Sequence, residues 1–201
     1  MRIAVSDLLF PGFRKFGIRP LNTEYGIEFF YEFGHDYYWD EETAAWGNRE
    51  FSIHGPCVAV DLADKDNLNY LPAFEATFKY AQKIKAQFVV VHTNECLPAD
   101  IKAGQELVIS RLAELLDMAK AYGVTLVIEN VGLRTKGNVL FTLEEYYALF
   151  ERFPQAMSLI DTGHAHVNGW DIPAVVEKLG DKLFAFHIHD NDGEGDDHLP
   201  V

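Results

Sequence analysis

The chain has 201 residues, is 48% hydrophobic and carries a formal net charge of −14. This length is enough for one domain with a buried core, and we expect that domain to span residues 1–201. The acidic charge argues against a nucleic-acid partner, because extended contact with phosphates needs clustered lysine and arginine. No apolar run approaches the roughly 18–20 residues that cross a membrane, so we expect no membrane partner.

The amino terminus and the cysteines indicate in which cellular compartment the protein resides. The opening sequence MRIAVSDLLFPGF has a short apolar patch without the layout of a signal peptide, and it fits a strand better. Cys57 and Cys96 are the only cysteines, lie near predicted strand ends and form no CxxC pair. We therefore expect two buried, reduced thiols and a cytoplasmic location.

Seven short apolar runs rich in β-branched residues predict strands buried on both faces of a parallel sheet. In chain order they cover residues 2–6, 26–31, 51–54, 87–92, 124–129, 157–161 and 183–188.

Residues 10–50 are less regular and rich in aromatic side chains. Their number predicts packed loops, which would form one wall of a substrate site. The aromatic residues concerned are Tyr25, Phe29, Phe30, Tyr31, Phe33, Tyr37, Tyr38, Trp39 and Trp46.

Four helices are predicted between the later strands, because apolar residues recur there at helical spacing. Gly123 is a typical stop for the second helix, while Thr142 and Asp171 are typical first residues of the third and fourth. The four candidates cover residues 69–86, 101–122, 142–153 and 171–179.

The alternation of strands and helices from about residue 50 onward predicts an α/β fold. A nucleotide-binding open sheet would usually show a glycine-rich first turn, and neither GxGxxG nor GxxxxGK[ST] occurs. A (β/α)8 TIM barrel fits better, but it needs eight strands, so we expect a barrel truncated after the seventh strand and lacking the final βα unit. The exposed sheet edge of such a barrel favours association with another chain, so a homo-oligomer is a further hypothesis.

Polar residues that can bind a metal stand at the ends of five of the predicted strands. A carboxylate such as Glu129, which directly follows the three apolar residues Leu126, Val127 and Ile128, is costly to bury unless it is paired or bound to a metal. Parallel strands of a barrel bring their carboxyl ends to one mouth, where barrel enzymes build their active sites. The residues are His54, His92, Glu129, Asp161 with His164, and His187.

Three short motifs add detail to these strand ends. In DTGH the i, i+3 spacing lets Asp161 and His164 face one ion, with Gly163 easing the tight backbone. In HIHD, His187 and His189 share a face of the strand, so that one can bind a metal while the other packs. The acidic loop that follows contains DDH, with Asp196 and His198. Imidazole with carboxylate suits Zn²⁺, Mn²⁺ or Co²⁺ better than Ca²⁺, which predicts one of these divalent metals as the cofactor.

The sequence resembles the xylose isomerase-like TIM barrel superfamily, which includes sugar-phosphate isomerases and epimerases and the endonuclease IV type of apurinic-site nuclease. The similar segments cover nearly the whole chain in family order. They are GIEFF, SIHGP, VVVHTN, LVIENVG, LIDTGHAHV and HIHDNDGEGDDHLP.

The resemblance implies a core metal site of Glu129, Asp161 and His187, together with a glutamate of the eighth strand that has no counterpart here. The nuclease branch adds ligands for a three-zinc cluster. The matching positions in this chain are His54, His92, His164, Asp196 and His198.

The leading hypothesis is a metal-dependent isomerase or epimerase that acts on a small sugar or sugar phosphate through a metal-stabilised enediolate. Glu129 would serve as one acid/base, and His54 and His92 would orient substrate hydroxyls. The alternative is a zinc-dependent phosphodiester hydrolase of the apurinic-site type, which the complete set of histidines and acids favours and the net charge does not. A degenerate barrel that only binds sugars or a partner protein is a third hypothesis.

Overall fold

The computed structural model describes residues 2–9, 17–32, 34–199 and 201. Within these residues seven strands form one parallel sheet, and each strand pairs with the next one along the chain. The strands are β1 (Ala4–Ser6), β2 (Gly26–Phe30), β3 (Phe51–His54), β4 (Val89–Val91), β5 (Leu126–Glu129), β6 (Met157–Asp161) and β7 (Leu183–His187).

Helices lie between the strands. In the described part of the chain they are α1 (Asp36–Trp46), α2 (Tyr70–Ile84), α3 (Ile101–Tyr122), α4 (Leu143–Arg152), α5 (Thr162–Val167) and α6 (Ile172–Leu179), with short 3₁₀ turns at Asp7–Leu9 and Gly180–Lys182. The predicted architecture, an α/β barrel with seven strands, is confirmed. All seven predicted strands and all four predicted helices are present within a few residues of their expected ends.

The helix boundaries follow the expected caps. Thr142 accepts a hydrogen bond from the backbone N–H of Glu145, whose carboxylate in turn accepts one from the backbone N–H of Thr142. This reciprocal pair satisfies two donors at the start of α4. The Asp171 side chain caps α6 by accepting one hydrogen bond from the backbone N–H of Ala174, and Gly123 ends α3 in the left-handed conformation.

The main core lies between the sheet and the helices. The side chains of α2 and α3 that face the sheet are fully buried, among them Phe74, Phe78, Leu112 and Leu115. Tyr146 of α4 links two strands, because its hydroxyl lies within hydrogen-bonding distance of the carbonyl oxygens of Ile128 (2.8 Å) and Leu159 (3.1 Å). The core therefore holds the carboxyl halves of β5 and β6 in fixed register.

A second, smaller core fills the inside of the barrel. It consists of fully buried Val90, Val127 and Leu159, with partly buried side chains such as Ala185 against them. Side chains two residues apart on a strand share a face. The residues two positions further along each strand therefore also face inward, and they are the predicted site residues His92, Glu129, Asp161 and His187. The small inner core thus forms the apolar floor of the site.

The expectation of loops across residues 10–50 was wrong for α1. Trp39 and Trp46 of this helix pack against Phe29 of β2, with ring centroids 4.5 and 5.7 Å apart, and both are buried in the outer core. They therefore pack the helix onto the sheet and form no substrate wall. The sequence DYYWDEETAAW does not predict this helix, because its apolar residues form no clear stripe at helical spacing. Phe33 lies outside the described residues.

The cysteines differ from the expectation in one respect. Both are free thiols, but only Cys57 is buried, whereas Cys96 is exposed. No helix in the described ranges combines the length and the apolar character that a membrane span requires.

Candidate metal centre

Three strand ends meet at the centre of the barrel mouth. Glu129 is the last residue of β5, Asp161 the last of β6 and His187 the last of β7. Each offers one ligand atom, and these three atoms lie within 4.8 Å of one another. Both carboxylates are buried, with 2% of each residue exposed. The structure thus brings together the three residues of the predicted core site.

A second group adjoins Glu129. His54 ends β3, and His92 directly follows β4. Their Nε2 atoms face each other at 3.1 Å. Oε2 of Glu129 lies 3.2 Å from Nε2 of His92 and 3.6 Å from Nε2 of His54. The thiol of Cys57, which the sequence analysis did not single out for the site, lies within 4.8 Å of both imidazole ligand atoms.

A third group lies on the other side of Asp161 and contains Asp196 and His198 as predicted. The loop that carries them folds back through an antiparallel bridge, in which Asp190 and Leu199 exchange two backbone hydrogen bonds of 2.8 Å. This bridge brings Asp196 and His198 within 4.8 Å of His189.

His164 lies between the central group and this third group. Its Nε2 is 3.4 Å from Oδ2 of Asp196, and its Nδ1 is 3.5 Å from Oε1 of Glu129. All eight predicted site residues are therefore near neighbours at the barrel mouth.

In several of the histidines, one ring nitrogen makes a hydrogen bond that fixes the orientation of the ring. Nδ1 of His54 lies 2.9 Å from the carbonyl oxygen of Gly55, and Nδ1 of His164 lies 2.9 Å from that of Asn130. A carbonyl oxygen only accepts, so these Nδ1 atoms carry the proton.

Two further histidines are held by carboxylates. Nδ1 of His92 lies 2.7 Å from Oε1 of Glu95, and Nε2 of His187 lies 2.8 Å from Oε1 of Glu28. In all four rings the opposite nitrogen points towards the other groups of the mouth, where it can bind a metal once it has lost its proton. This is the arrangement by which proteins orient imidazoles as metal ligands.

The buried carboxylates and imidazoles of the mouth shift one another's pKa values. Burial raises the pKa of Glu129, but the nearby His187 and His92 outweigh that effect and lower it well below its usual range. Burial disfavours the charged form of His92, yet Glu129 and Glu95 raise its pKa to about 10.

His164 behaves in the same way. Burial opposes its charge, but the hydrogen bond to Asp196 and the charge of Asp161 raise its pKa to about 9. The buried carboxylates thus hold protons on the imidazoles, and a divalent cation would supply the same charge in their place.

The residues fit a divalent metal by the chemistry of their donors. Neutral imidazole nitrogens and carboxylate oxygens converge from separate strands, as Zn²⁺, Mn²⁺ and Co²⁺ sites require. In addition, Oδ1 of Asp196 is buried without a hydrogen-bond partner among the described residues. It lies 3.3 Å from Nε2 of His198 and 3.6 Å from Nε2 of His189. A bound cation would satisfy this oxygen.

Four residues near the centre were absent from the predicted set: Glu28, Cys57, Glu95 and His189. Glu28 had a sequence signal, because an acid inside the apolar run GIEFF is costly to bury without a partner. His189 was one of two histidines in HIHD between which the pattern could not choose. In the structure its Nε2 lies 3.0 and 3.1 Å from the two oxygens of Asp161. Both histidines of HIHD therefore face the site.

Gly163 of the DTGH motif has a different role from the one expected. It lies in α5 with an ordinary helical backbone, so no strain is relieved there. A Cβ at this position would instead lie 2.1 Å from Cε1 of His189. The glycine leaves the space that the His189 ring occupies.

Comparison with known proteins agrees with this fold. An uncharacterized protein of Methanocaldococcus jannaschii is 25% identical over 159 residues. The match covers 76% of this chain and 60% of that protein, so the chain matches less than two thirds of its relative's length.

Solved structures are similar over nearly all of the chain. A D-tagatose 3-epimerase-like protein superposes with a TM-score of 0.80 at 21% identity, covering 99% of this chain and 80% of the other. A Thermus thermophilus protein whose crystals were soaked with ZnCl₂ gives 0.73 at 17% identity, with coverages of 98% and 80%. The 3-keto-D-glucoside 4-epimerase YcjR from E. coli gives 0.70 at 16% identity, with coverages of 95% and 80%.

The sequence profile of one family matches residues 26–201, which is most of the chain and includes β2 to β7 with every predicted site residue. The chain belongs to the xylose isomerase-like TIM barrel family.

Proposed function

We propose that this protein is a metal-dependent isomerase or epimerase of a small sugar or sugar phosphate. One observation carries the proposal: ligand atoms of Glu129, Asp161 and His187 converge within 4.8 Å at the barrel mouth. They come from three successive strands and rest on an apolar floor. These three residues would hold one divalent ion at the mouth, where a substrate can bind.

The names of similar structures support a sugar as the substrate. Two of them are described as a D-tagatose 3-epimerase-like protein and a 3-keto-D-glucoside 4-epimerase. Another is a D-psicose 3-epimerase whose structure was determined in the presence of D-fructose, and the match covers 82% of this chain and 62% of the epimerase. The net charge of −14 fits a small substrate better than a nucleic acid.

In this proposal a divalent ion bound by the central group would stabilise negative charge that develops on the oxygens of the sugar. The protein would supply the proton transfer. The histidine neighbours lower the pKa of Glu129, so its carboxylate is ionised, as a general base must be, although the same shift makes it a weaker proton acceptor than an ordinary glutamate. His54 and His92 line the same side of the mouth, where they would orient hydroxyl groups of the substrate.

Solvent exchange tests the proposal directly. The protein would be loaded with Mn²⁺ or Co²⁺ and incubated in deuterated water with a panel of ketoses, aldoses and their phosphates. We expect deuterium at one carbon of at least one sugar, and roughly 100-fold or more slower exchange in Glu129→Gln. Glu151→Gln, an exposed position on α4, is the matched control and should exchange at the parent rate.

Absence of exchange across the whole panel, with metal bound, would count against an isomerase. Under that outcome a protein that binds sugars without turnover becomes the better hypothesis.

A second function, hydrolysis of phosphodiesters, is favoured by a separate observation. The third group, His189 with Asp196 and His198, adjoins the central group through Asp161, and its Asp196 has a buried oxygen without a hydrogen-bond partner in the described part of the chain. Sites with two or more metals activate water and stabilise a leaving oxygen in phosphoryl hydrolases. Cleavage of an abasic DNA duplex or of a small phosphodiester, lost in Asp196→Asn, would support this function. Exchange without any cleavage would exclude it.

A further inference from the structure

Asn191 attaches the acidic loop, residues 190–199, to α5. It is the one buried residue of this loop, with a fractional exposure of 7%. Its Nδ2 donates to the carbonyl oxygen of Gly163 at 3.0 Å, which fixes the orientation of the amide because a carbonyl oxygen only accepts. Its Oδ1 is therefore the acceptor for the backbone N–H of Gly193 at 3.0 Å and for Nδ1 of His166 at 2.8 Å. One side chain thus joins two residues of α5 to the turn that opens the loop.

The hydrogen bonds of Asn191 reach the same helix that presents His164. Gly163 directly precedes His164, and the start of α5 is fixed by Asp161, whose Oδ1 accepts from the N–H of His164 at 2.7 Å. Further along the loop, Oδ2 of Asp196 lies 3.4 Å from Nε2 of His164. The chain therefore runs in a closed circuit from α5 through Asn191 to Asp196 and back to α5, so the anchor at Asn191 limits where Asp196 can lie.

The segment between these two contacts has further hydrogen bonds, but they are exposed to solvent. Oδ1 of Asp192 accepts from the N–H groups of Glu194 (2.8 Å) and Gly195 (3.2 Å), and Oγ1 of Thr135 donates to the carbonyl oxygen of Glu194 at 2.7 Å. Exposed contacts of this kind open at little cost in free energy. The bond from Asn191 to α5 is buried, so the position of the loop depends most on it.

The charge of the loop opposes this position. Residues 190–197 include five acidic side chains and no lysine or arginine. The buried carboxylates of Glu129 and Asp161 lie against the other side of the His164 ring, 3.5 and 3.8 Å from its Nδ1, and like charges at short range repel. The amide of Asn191 is neutral, so it anchors the loop without adding another negative charge.

We propose that Asn191 is a positioning residue, which holds Asp196 beside His164 and so keeps the third group, His189 with Asp196 and His198, as a preformed part of the mouth. The acidic loop is accordingly a fixed wall of the mouth and not a lid that closes over a ligand. This role is the same for either reaction considered above, because it rests on the position of the loop alone.

Hydrogen exchange of the metal-free protein tests the anchor without any activity assay. We expect the amides of residues 192–199 to exchange roughly 10-fold faster in Asn191→Ala, while amides in the middle of α3 keep the parent rate. Asn191→Asp keeps the acceptor oxygen but cannot donate to α5, so it should also speed exchange of the loop. Asn22→Ala is the matched control, because its amide holds a turn before β2, at the opposite end of the barrel. Unchanged exchange of the loop in both Asn191 variants, or an equal rise in α3, overturns the proposal.

Zn²⁺ competition titrations show whether Asn191 acts through Asp196. Asn191→Ala should weaken the binding of Zn²⁺, with no substrate present, by roughly 10-fold, as is typical when a group behind a ligand is lost. In an Asp196→Asn background the same substitution should change the affinity by less than about 2-fold, because the side chain that it positions has already lost its charge. Equal losses in the two backgrounds would assign Asn191 to general stability and would also overturn the proposal.

Discussion

Glu28 of β2 accepts a hydrogen bond from His187 of β7, with Oε1 2.8 Å from Nε2. The two residues are 159 positions apart in the chain and lie on strands separated by four others in the sheet. Their contact shows that the sheet curls until its second and seventh strands face each other across the mouth. The same bond orients His187, because it commits Nε2 and turns Nδ1 towards Glu129, 3.4 Å away.

Removing this bond should weaken metal binding. We expect Glu28→Ala to lower the affinity of the central site by roughly 10–100-fold, as is typical when a carboxylate behind a metal-binding histidine is lost. Glu28→Gln, which keeps an acceptor oxygen but loses the charge, should have a smaller effect. Chelator-competition titrations measure both, with the exposed Glu41→Gln on α1 as control. Equal affinities in the parent and all three variants would show that Glu28 does not orient a ligand.

The strand ends explain how much of this site could be predicted from sequence. Glu129 and Asp161 each end a buried apolar run, and His187 ends an apolar run that is partly exposed. In a parallel barrel that position alone fixes both the face and the edge. The argument from strand ends does not identify Glu28, because this residue lies inside its strand, with Phe29 and Phe30 after it. The run GIEFF signals that Glu28 is buried and needs a partner, but its pairing with His187 depends on how far the sheet curls, which is a property of the whole barrel.

Asn130 fixes the backbone that presents Asp161. Its Oδ1 accepts from the N–H of Asp161 at 2.6 Å, and its Nδ2 donates to the carbonyl of Asp161 at 3.1 Å. All of these groups are buried. We expect Asn130→Ala to reduce the free energy of unfolding by about 1–3 kcal/mol, because two buried backbone groups lose their partners. Urea unfolding in the presence of a chelator separates this loss from any loss of metal.

The exposed Asn48→Ala is the control for that measurement, since it removes the same amide from a solvated position. If Asn130→Ala unfolds at the parent urea concentration, water replaces the amide and the bond has no structural importance.

Gly163 should not tolerate a methyl group while His189 is present. A Cβ there would lie 2.1 Å from the His189 ring, so Gly163→Ala must displace that ring from Asp161. We expect a cost of about 1–3 kcal/mol in unfolding free energy, typical of overpacking. In a His189→Ala background the same substitution should cost markedly less, and the double-mutant cycle measures the difference. Additive effects would mean that the two residues do not compete for space.

The position of the acidic loop at the mouth could not be predicted from local sequence patterns. Asp196 and His198 were identified through a family resemblance, and the spacing alone also suits a solvated turn. What brings them to the mouth is the bridge between Asp190 and Leu199, a pairing of two residues in irregular segments. Neither periodicity nor composition predicts an isolated bridge. The sequence does not place Cys57 at the site for the same reason, because only the path of the chain after β3 brings its sulfur close to His54 and His92.

The histidines make the stability of the metal-free protein depend on pH. Their pKa is raised in the folded state, to about 10 for His92 and about 9 for His164, from about 6.5 when unfolded. Their stabilising contribution is therefore complete below about pH 6.5 and is lost as the pH rises towards 9–10. Glu129, with its lowered pKa, acts in the opposite sense and contributes above about pH 4.5.

We accordingly expect the chelator-treated protein to lose thermal stability steadily between about pH 6.5 and pH 10, and His92→Gln to show a shallower decline. With saturating Zn²⁺ the decline should flatten or reverse, because the ion binds neutral imidazoles and takes over the positive charge that the protons supplied. Melting temperatures across this pH range, with and without metal, measure both slopes. Parallel curves for the two forms would show that the imidazoles of the mouth do not exchange protons for a cation.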